Sequence, residues 1–437
     1  MNDMEEDLRR VLGRAAERAP RAPGKLVSHV TATSVRRRAR RRIAVTGLAV
    51  AVIAGGVAIA VSDLRPGGEG HAAAVAASAT AGPEAAQDEA GVRARLREQA
   101  GEGAFRGEEP MRDDPPPSPP LKPVEQVWPE AVRKVPAAPG GKDVHPRAFI
   151  DDRTLLVDTW VSLEKPDAIY AYDLETASLR EIAKVPAPEG TVLFASDYAV
   201  GSGRVAWWSA RRAGGGKTID LWTAPLSGGA AEPLLSFPGR DLDHLAVAGD
   251  RLVFSREDGG VYTVPLAGGG LQPVRGAAGR HLLRWPWAGA GGRAPEGEEP
   301  TFTELWNAET GEKRTALVKA GERAVRCGLA TCYGEKPGGG YFYRMRDGSG
   351  EKALPHGTFP ITGEFARDRY YTAPFPAERG LGGAALYDAA TGRAADLGVA
   401  PEDGGESVET PGFSPDGRLL AYPKGGELHV IDADKLG

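Results

Sequence analysis

The decapeptide FSPDGRLLAY, residues 413–422, sets a tight turn directly before a β-strand. In Ser414-Pro415-Asp416-Gly417 the proline presets φ at the second position, and the glycine accepts the positive φ with which such a turn exits. Leu419, Leu420 and Tyr422 then open an apolar run of strand type. The same order of turn and strand recurs in DDRTLLV (151–157), GSGRVAWW (201–208), AGDRLVF (248–254) and ARDRYYT (366–372).

A second strand follows these runs and closes on a large apolar residue with a polar neighbour. The seven anchors are Tyr172-Asp173, Trp222-Thr223, Tyr262-Thr263, Trp306-Asn307, Tyr343-Arg344, Tyr387-Asp388 and Ile431-Asp432, spaced by 50, 40, 44, 37, 44 and 44 residues. Behind the first six stand the hairpin turns LETAS, LSGGA, LAGGG, AETGE, RDGSG and AATGR. Periods of 40 to 50 residues holding several strands each are the mark of propeller blades. The expected fold class is therefore all-β, a β-propeller over residues 122–437, with seven blades the reading and six or eight the alternatives. The last unit ends at Gly437 without its fourth strand. VWPEAVRKVPA, Val127 to Ala137, resembles the final strands of other units, such as LREIAKVPA at Leu179 to Ala187. Pairing of Val132–Val135 with Leu428–Ile431 would close the ring and hide a sheet edge. The regular recurrence of the anchors reads as packing between blades, not as a ligand cage.

The N-terminal part is of another kind. Residues 43–61, IAVTGLAVAVIAGGVAIAV, carry no charge and follow VRRRARRR at Val35–Arg42. A helix of that length comes to roughly 28 Å, close to the hydrocarbon core of a bilayer. Residues 1–42 hold 12 Lys/Arg against 5 Asp/Glu, and the remaining 395 hold 42 against 54, so net charges of +7 and -12 flank the span. This predicts a single-pass anchor with a cytoplasmic N-terminus and an extracytoplasmic propeller. The stub, 1–42, contains a short amphipathic helix from about Met4 to Ala19 that could dock a cytoplasmic partner. Residues 62–121, rich in Ala, Gly and Pro and containing DDPPPSPP, read as a linker. An acidic outer part argues against nucleic-acid binding.

Chemistry is sparse. Cys327 and Cys332 are the two cysteines, five residues apart in RCGLATCYG, and read as a disulfide suited to an oxidising compartment. The seven histidines show no metal-ligand spacing. There is no G-x-S-x-G elbow, H-E-x-x-H helix, Walker loop or EF-hand loop. No cofactor, metal or catalytic residue is expected, and Asp432 with Asp434 reads as a turn.

FSPDGRLLAY, LYDAATGR and LWNAETGE are similar to the repeats of TolB-like and WD40-like β-propellers. The Trp-Asp and Gly-His dipeptides of eukaryotic WD40 proteins are absent, which makes TolB-like the better label. The layout resembles a group of membrane-anchored bacterial propellers often found beside sigma-factor genes, and that resemblance implies protein–protein interaction. It also resembles membrane anti-sigma factors in plan, without their zinc-binding His/Cys motif. The expected function is a non-enzymatic module that binds or senses a protein or cell-envelope ligand. The alternatives are a regulator whose stub binds a sigma-factor-like protein, and a propeller hydrolase or lyase.

Overall fold

A computed structural model of the chain describes residues 120–437, except 163–164, 292–299, 356–364, 378–380 and 402–406. The expected stub, membrane span and most of the linker lie outside the described residues. Among the described residues no helix is long and apolar enough to cross a membrane.

Seven antiparallel sheets of three or four strands make up this region, one for each anchor. Blade one consists of His145–Phe149, Thr154–Ser162, Lys165–Asp173 and Leu179–Lys184, hydrogen-bonded in chain order. Blades two to five repeat that order over 191–238, 242–273, 281–315 and 323–353, and blade six has three described strands over 370–399. The first strands of blades one to four touch in order, and Thr301 bridges to Arg326 between blades four and five. Shared clusters join blades five to six and six to seven, and the seventh blade's Leu419–Lys424 touches His145–Phe149, so the ring closes.

Closure is made by the strand expected from the sequence. Val132–Pro136 pairs antiparallel with Glu427–Asp432, placing Val132 opposite Ile431 and Val135 opposite Leu428. The upstream half of the expected strand is not extended. Val124–Val127 forms one α-turn and Pro129–Ala131 one 3-10 turn, with Pro129 at a first-turn position where its missing N–H costs nothing. These turns drive Val124, Trp128 and Ala131 into a core shared with Ala395, Leu397, Tyr422 and Ile431. Leu121, assigned from the sequence to the linker, packs against a cluster of blades five and six.

Both faces of a blade are covered by its neighbours, which is why the strands carry apolar residues in unbroken runs. Ala206, Trp208 and Leu221 of blade two meet Leu252, Phe254 and Val264 of blade three in one cluster. The anchors serve this packing as expected. Tyr172 is buried and donates to the Pro136 carbonyl at 2.9 Å, and Tyr387 stacks on Tyr371 at 5.0 Å.

The polar half of each anchor has a partner that sequence reading did not anticipate. In five blades an arginine at the start of the second strand reaches the anchor's polar residue. Arg369 holds Asp388 through two bonds of 2.8 and 2.7 Å, and Arg418 holds Asp432 through two of 3.0 and 2.9 Å. Arg204 donates to Thr223 at 3.1 Å and Arg251 to Thr263 at 3.2 Å, while Arg153 stands 4.0 Å from Asp173. Burial works against the charges of Asp388 and Asp432, but their arginines outweigh it and hold both carboxyls below the usual range. The signal was present in all five turn motifs, each of which ends its turn on arginine.

Candidate functional site

The blades are of unequal height. Counted up the third strand from its anchor, blades one and two extend seven and six residues, blades three to five only one or two, and blades six and seven six and four. At about 3.3 Å per residue, four to six extra residues raise an edge by roughly 13–20 Å. Blades six, seven, one and two therefore stand above the three low blades, and blades one and two form the crown at the end of that arc which borders blade three. The only sequence hint was the 50-residue interval between Tyr172 and Trp222, the longest of the six.

The crown rests on a buried carboxylate. Asp158, in the second strand of blade one, is fully buried and accepts four hydrogen bonds. Two come from Arg147 at 2.9 Å each, one from the Trp160 indole at 3.1 Å and one from the Tyr198 hydroxyl of blade two at 2.9 Å. Arg147 reaches it from a bulge, between Pro146 and Ala148, where an inner strand can re-aim a side chain. His145 stacks on Trp160 at 4.3 Å, with its Nδ1 3.6 Å from Asp158.

These environments fix the protonation states. Burial pushes the Tyr198 phenol well above its ordinary value, so it remains a donor. Burial also pushes the His145 imidazole down, against the pull of Asp158, and leaves it neutral at pH 7. Burial opposes the Arg147 charge, yet Asp158 and Tyr198 outweigh it and the guanidinium is held above its ordinary range. Four donors occupy the lone-pair sites of Asp158 and tie Arg147, Trp160 and Tyr198 to one point. The cluster is a rigid base that joins blades one and two.

Two large apolar side chains are exposed at this end of the two blades. Val161, next to Trp160, is 63% exposed, and Val192 at the top of blade two is 47% exposed. The Lys165 ammonium lies 5.4 Å over the Phe194 ring and links the two blades at the rim. The main-chain N–H of exposed Arg212 donates to the Gly190 carbonyl at 2.9 Å, at the entry to the first strand of blade two. Among the described residues only Leu317 and Met345 are other large apolar side chains exposed to a similar degree.

The residues singled out from the sequence lie elsewhere. Ser414–Gly417 turns at the opposite ends of the strands in blade seven. The Gly417 N–H donates to the Ser414 carbonyl at 2.8 Å, the Ser414 hydroxyl accepts from the Leu419 N–H at 2.9 Å, and Gly417 has φ +73°. Its hydrogen bonds are those of a turn. Cys327 and Cys332 stand directly opposite each other in blade five, both buried, with Cα atoms 4.0 Å apart. The Asp432 carboxylate accepts from the Asp434 N–H at 3.2 Å, as a turn requires. No group of three or more His, Cys, Asp or Glu side chains able to hold a metal occurs among the described residues.

The architecture is that of a seven-bladed β-propeller, and the TolB-like/WD40-like type fits it. No protein-family model matches the sequence, and no curated protein matches it. Solved propellers are similar at the level of the chain trace. YCF48 bound to D1 peptide shares 10% identity at a TM-score of 0.43, over 72% of this chain and all of that one. The β-propeller domain of the Trilobed protease from Pyrococcus furiosus shares 12% at 0.40, over 66% and 95%. Puromycin hydrolase (S511A mutant) shares 14% at 0.39, over 65% and 52%.

Proposed function

We propose that this protein is a binding module that engages a protein or cell-envelope ligand through the crown of blades one and two and leaves it chemically unchanged. The observation that carries this reading is the exposure of Val161 and Val192, one on each of blades one and two, together with a buried carboxylate that joins the two blades. Exposed apolar groups on a rigid, raised edge favour contact. A carboxylate with four donors, a phenol kept protonated and a neutral imidazole stacked on tryptophan favour rigidity over proton transfer. In the same proposal, residues 43–61 anchor the chain in the membrane and hold the propeller on the extracytoplasmic side, where residues 62–121 give it reach.

A photo-crosslinking residue placed at Val161, and in a control at Glu175 on the opposite face, tests the reading in cells. A discrete adduct from position 161, absent from 175 and lost with Val192→Asp, is the expected result. Adducts of equal yield from both positions would sink the crown as the binding face. Turnover of a glycan, peptide or ester by the purified protein, abolished by Asp158→Asn at unchanged melting temperature, would replace binding with catalysis.

A further inference from the structure

Blade four is the smallest in the ring, with strands of four, three, four and three residues. Part of its attachment to blade five runs through residues 316–322, where the Leu317 N–H donates to the Arg346 carbonyl at 2.7 Å and Ala316 and Val318 pack against Val325 and Phe342. The rest runs through one hairpin. That hairpin is Gly328–Thr331, bracketed by Cys327 and Cys332.

Three ties run from residues 325–329 to blade four. The first is main-chain pairing, in which the Thr301 N–H donates to the Val325 carbonyl at 2.9 Å and the Cys327 N–H to the Thr301 carbonyl at 3.2 Å. The second is Arg346, which is 6% exposed and has no ion pair among the described residues. Its Nη1 donates to the Gly328 carbonyl at 2.7 Å, and its Nη2 to the carbonyls of Phe302 and Thr303 at 3.0 and 2.7 Å. Its Nε has no hydrogen-bond partner, and a buried cation held only by carbonyls loses much if one of them moves away; burial, opposed by Asp368 and helped by the Arg314 charge, draws its pKa down to about 10. The third is apolar, with Leu329 packed against the cluster of Trp287, Phe302 and Leu305. Phe302 itself sits at φ +52° over Gly289 and Gly291, where added Cβ atoms would stand 3.0 and 3.3 Å from its ring. A bulky residue keeps such a backbone only when its surroundings enforce it.

The other half of the hairpin is tied to blade six. Asp368 accepts from the Ala330 N–H at 3.1 Å, and its carbonyl accepts from the Thr331 hydroxyl at 2.8 Å. The hairpin is thus pulled from both sides, and a bond between Cys327 and Cys332 keeps its two halves in register. We propose that the Cys327–Cys332 pair makes the seam between blades four and five a redox-sensitive joint, closed when the sulfurs are bonded and loosened when they are free thiols. Opening requires an external dithiol. The S–S bond breaks, two electrons and two protons give two cysteine thiols, and the dithiol leaves as its own disulfide. Residues 330–331 then stay with blade six, while 327–329 release Thr301, Arg346 and Phe302.

Hydrogen exchange of the full-length protein, oxidised and after dithiol treatment, reads the joint directly, with mass analysis counting the free thiols. The expected result is at least a tenfold loss of amide protection in peptides covering 300–305 and 323–329, with 419–432 unchanged. The Cys327→Ser/Cys332→Ser variant should show the loosened pattern under both conditions. Arg346→Met should loosen the same peptides with the bridge intact. Unchanged protection in protein shown to carry two free thiols would overturn the proposal. So would a loss spread evenly over all blades, including outright unfolding of both the reduced protein and the Ser/Ser variant. A native bridge that the dithiol leaves intact, or a wild-type exchange pattern in the Ser/Ser variant, would likewise overturn it.

Discussion

Replacing Trp128 with alanine tests how the ring is held shut. Its indole is 4% exposed and lies in the core where the entering chain meets blades six and seven, beside Val124, Ala131, Tyr422 and Leu436. Removing an aromatic side chain from such a site costs about 3–5 kcal/mol in lost transfer and residual cavity. The Arg393 guanidinium, 5.1 Å from the ring centre, contributes about 0.5–1 kcal/mol of that by cation–π attraction. The indole N–H has no hydrogen-bond partner, so no polar contact adds to the loss. Against a typical domain stability of about 5–15 kcal/mol, the deficit is large. It should also be specific, because Trp128 holds in place the five-residue pairing of Val132–Pro136 with Glu427–Asp432. Urea denaturation followed by far-UV circular dichroism gives the stability, and hydrogen exchange at 427–432 shows whether the closing strand frays first. A stability loss below about 1 kcal/mol, or protection at 427–432 equal to the parent's, would refute the idea that this residue locks the ring.

The arginine ties should rank by the charge of their partners. Arg418→Met leaves buried Asp432 without its bidentate partner and should cost about 3 kcal/mol, whereas Arg251→Met opposite Thr263 should cost about 1 kcal/mol or less; equal losses in thermal melts would contradict the ranking. Burial lowers the pKa of His145 and His429 below 6.5, so the folded state binds fewer protons than the unfolded one and stability should fall as pH drops from 6.5. A melting temperature flat between pH 7.5 and 5.5, or equally steep in a His145→Gln/His429→Gln variant, would exclude that linkage. Below about pH 4 a second loss should follow as Asp388 and Asp432, whose pKa values are lowered in the fold, take up protons. The short loop closed by Cys327 and Cys332 should add on the order of 2 kcal/mol when bridged. Thiol labelling of denatured, unreduced protein should find neither cysteine free, and modification of both would rule the bridge out.

The repeat, the blade number and the closing strand were legible in the sequence because each rests on local chemistry. Ser414-Pro415-Asp416-Gly417 makes its turn from its own backbone preferences, the anchors recur because each blade meets the same packing problem, and the unit lacking a fourth strand pointed to Val132–Val135 as its donor. Just ahead of that donor, the helical turns at 124–131 were missed because they form only where Trp128 finds a core built by residues almost 300 positions later. The crown was invisible for the same reason. Asp158 reads in sequence as one polar residue in an apolar strand, and its four donors come from three strands, the farthest being Tyr198, 40 residues on. Arg346 likewise looks like a turn residue until the ring brings the carbonyls of Phe302, Thr303 and Gly328 to it. The sequence by itself determined which segments become strands and how many blades they make, since turn geometry and apolar patterning act over a few residues. Only the tertiary structure decided which polar groups are buried and saturated and which apolar ones remain on the rim, because both depend on blade heights and on neighbours that chain order does not place together.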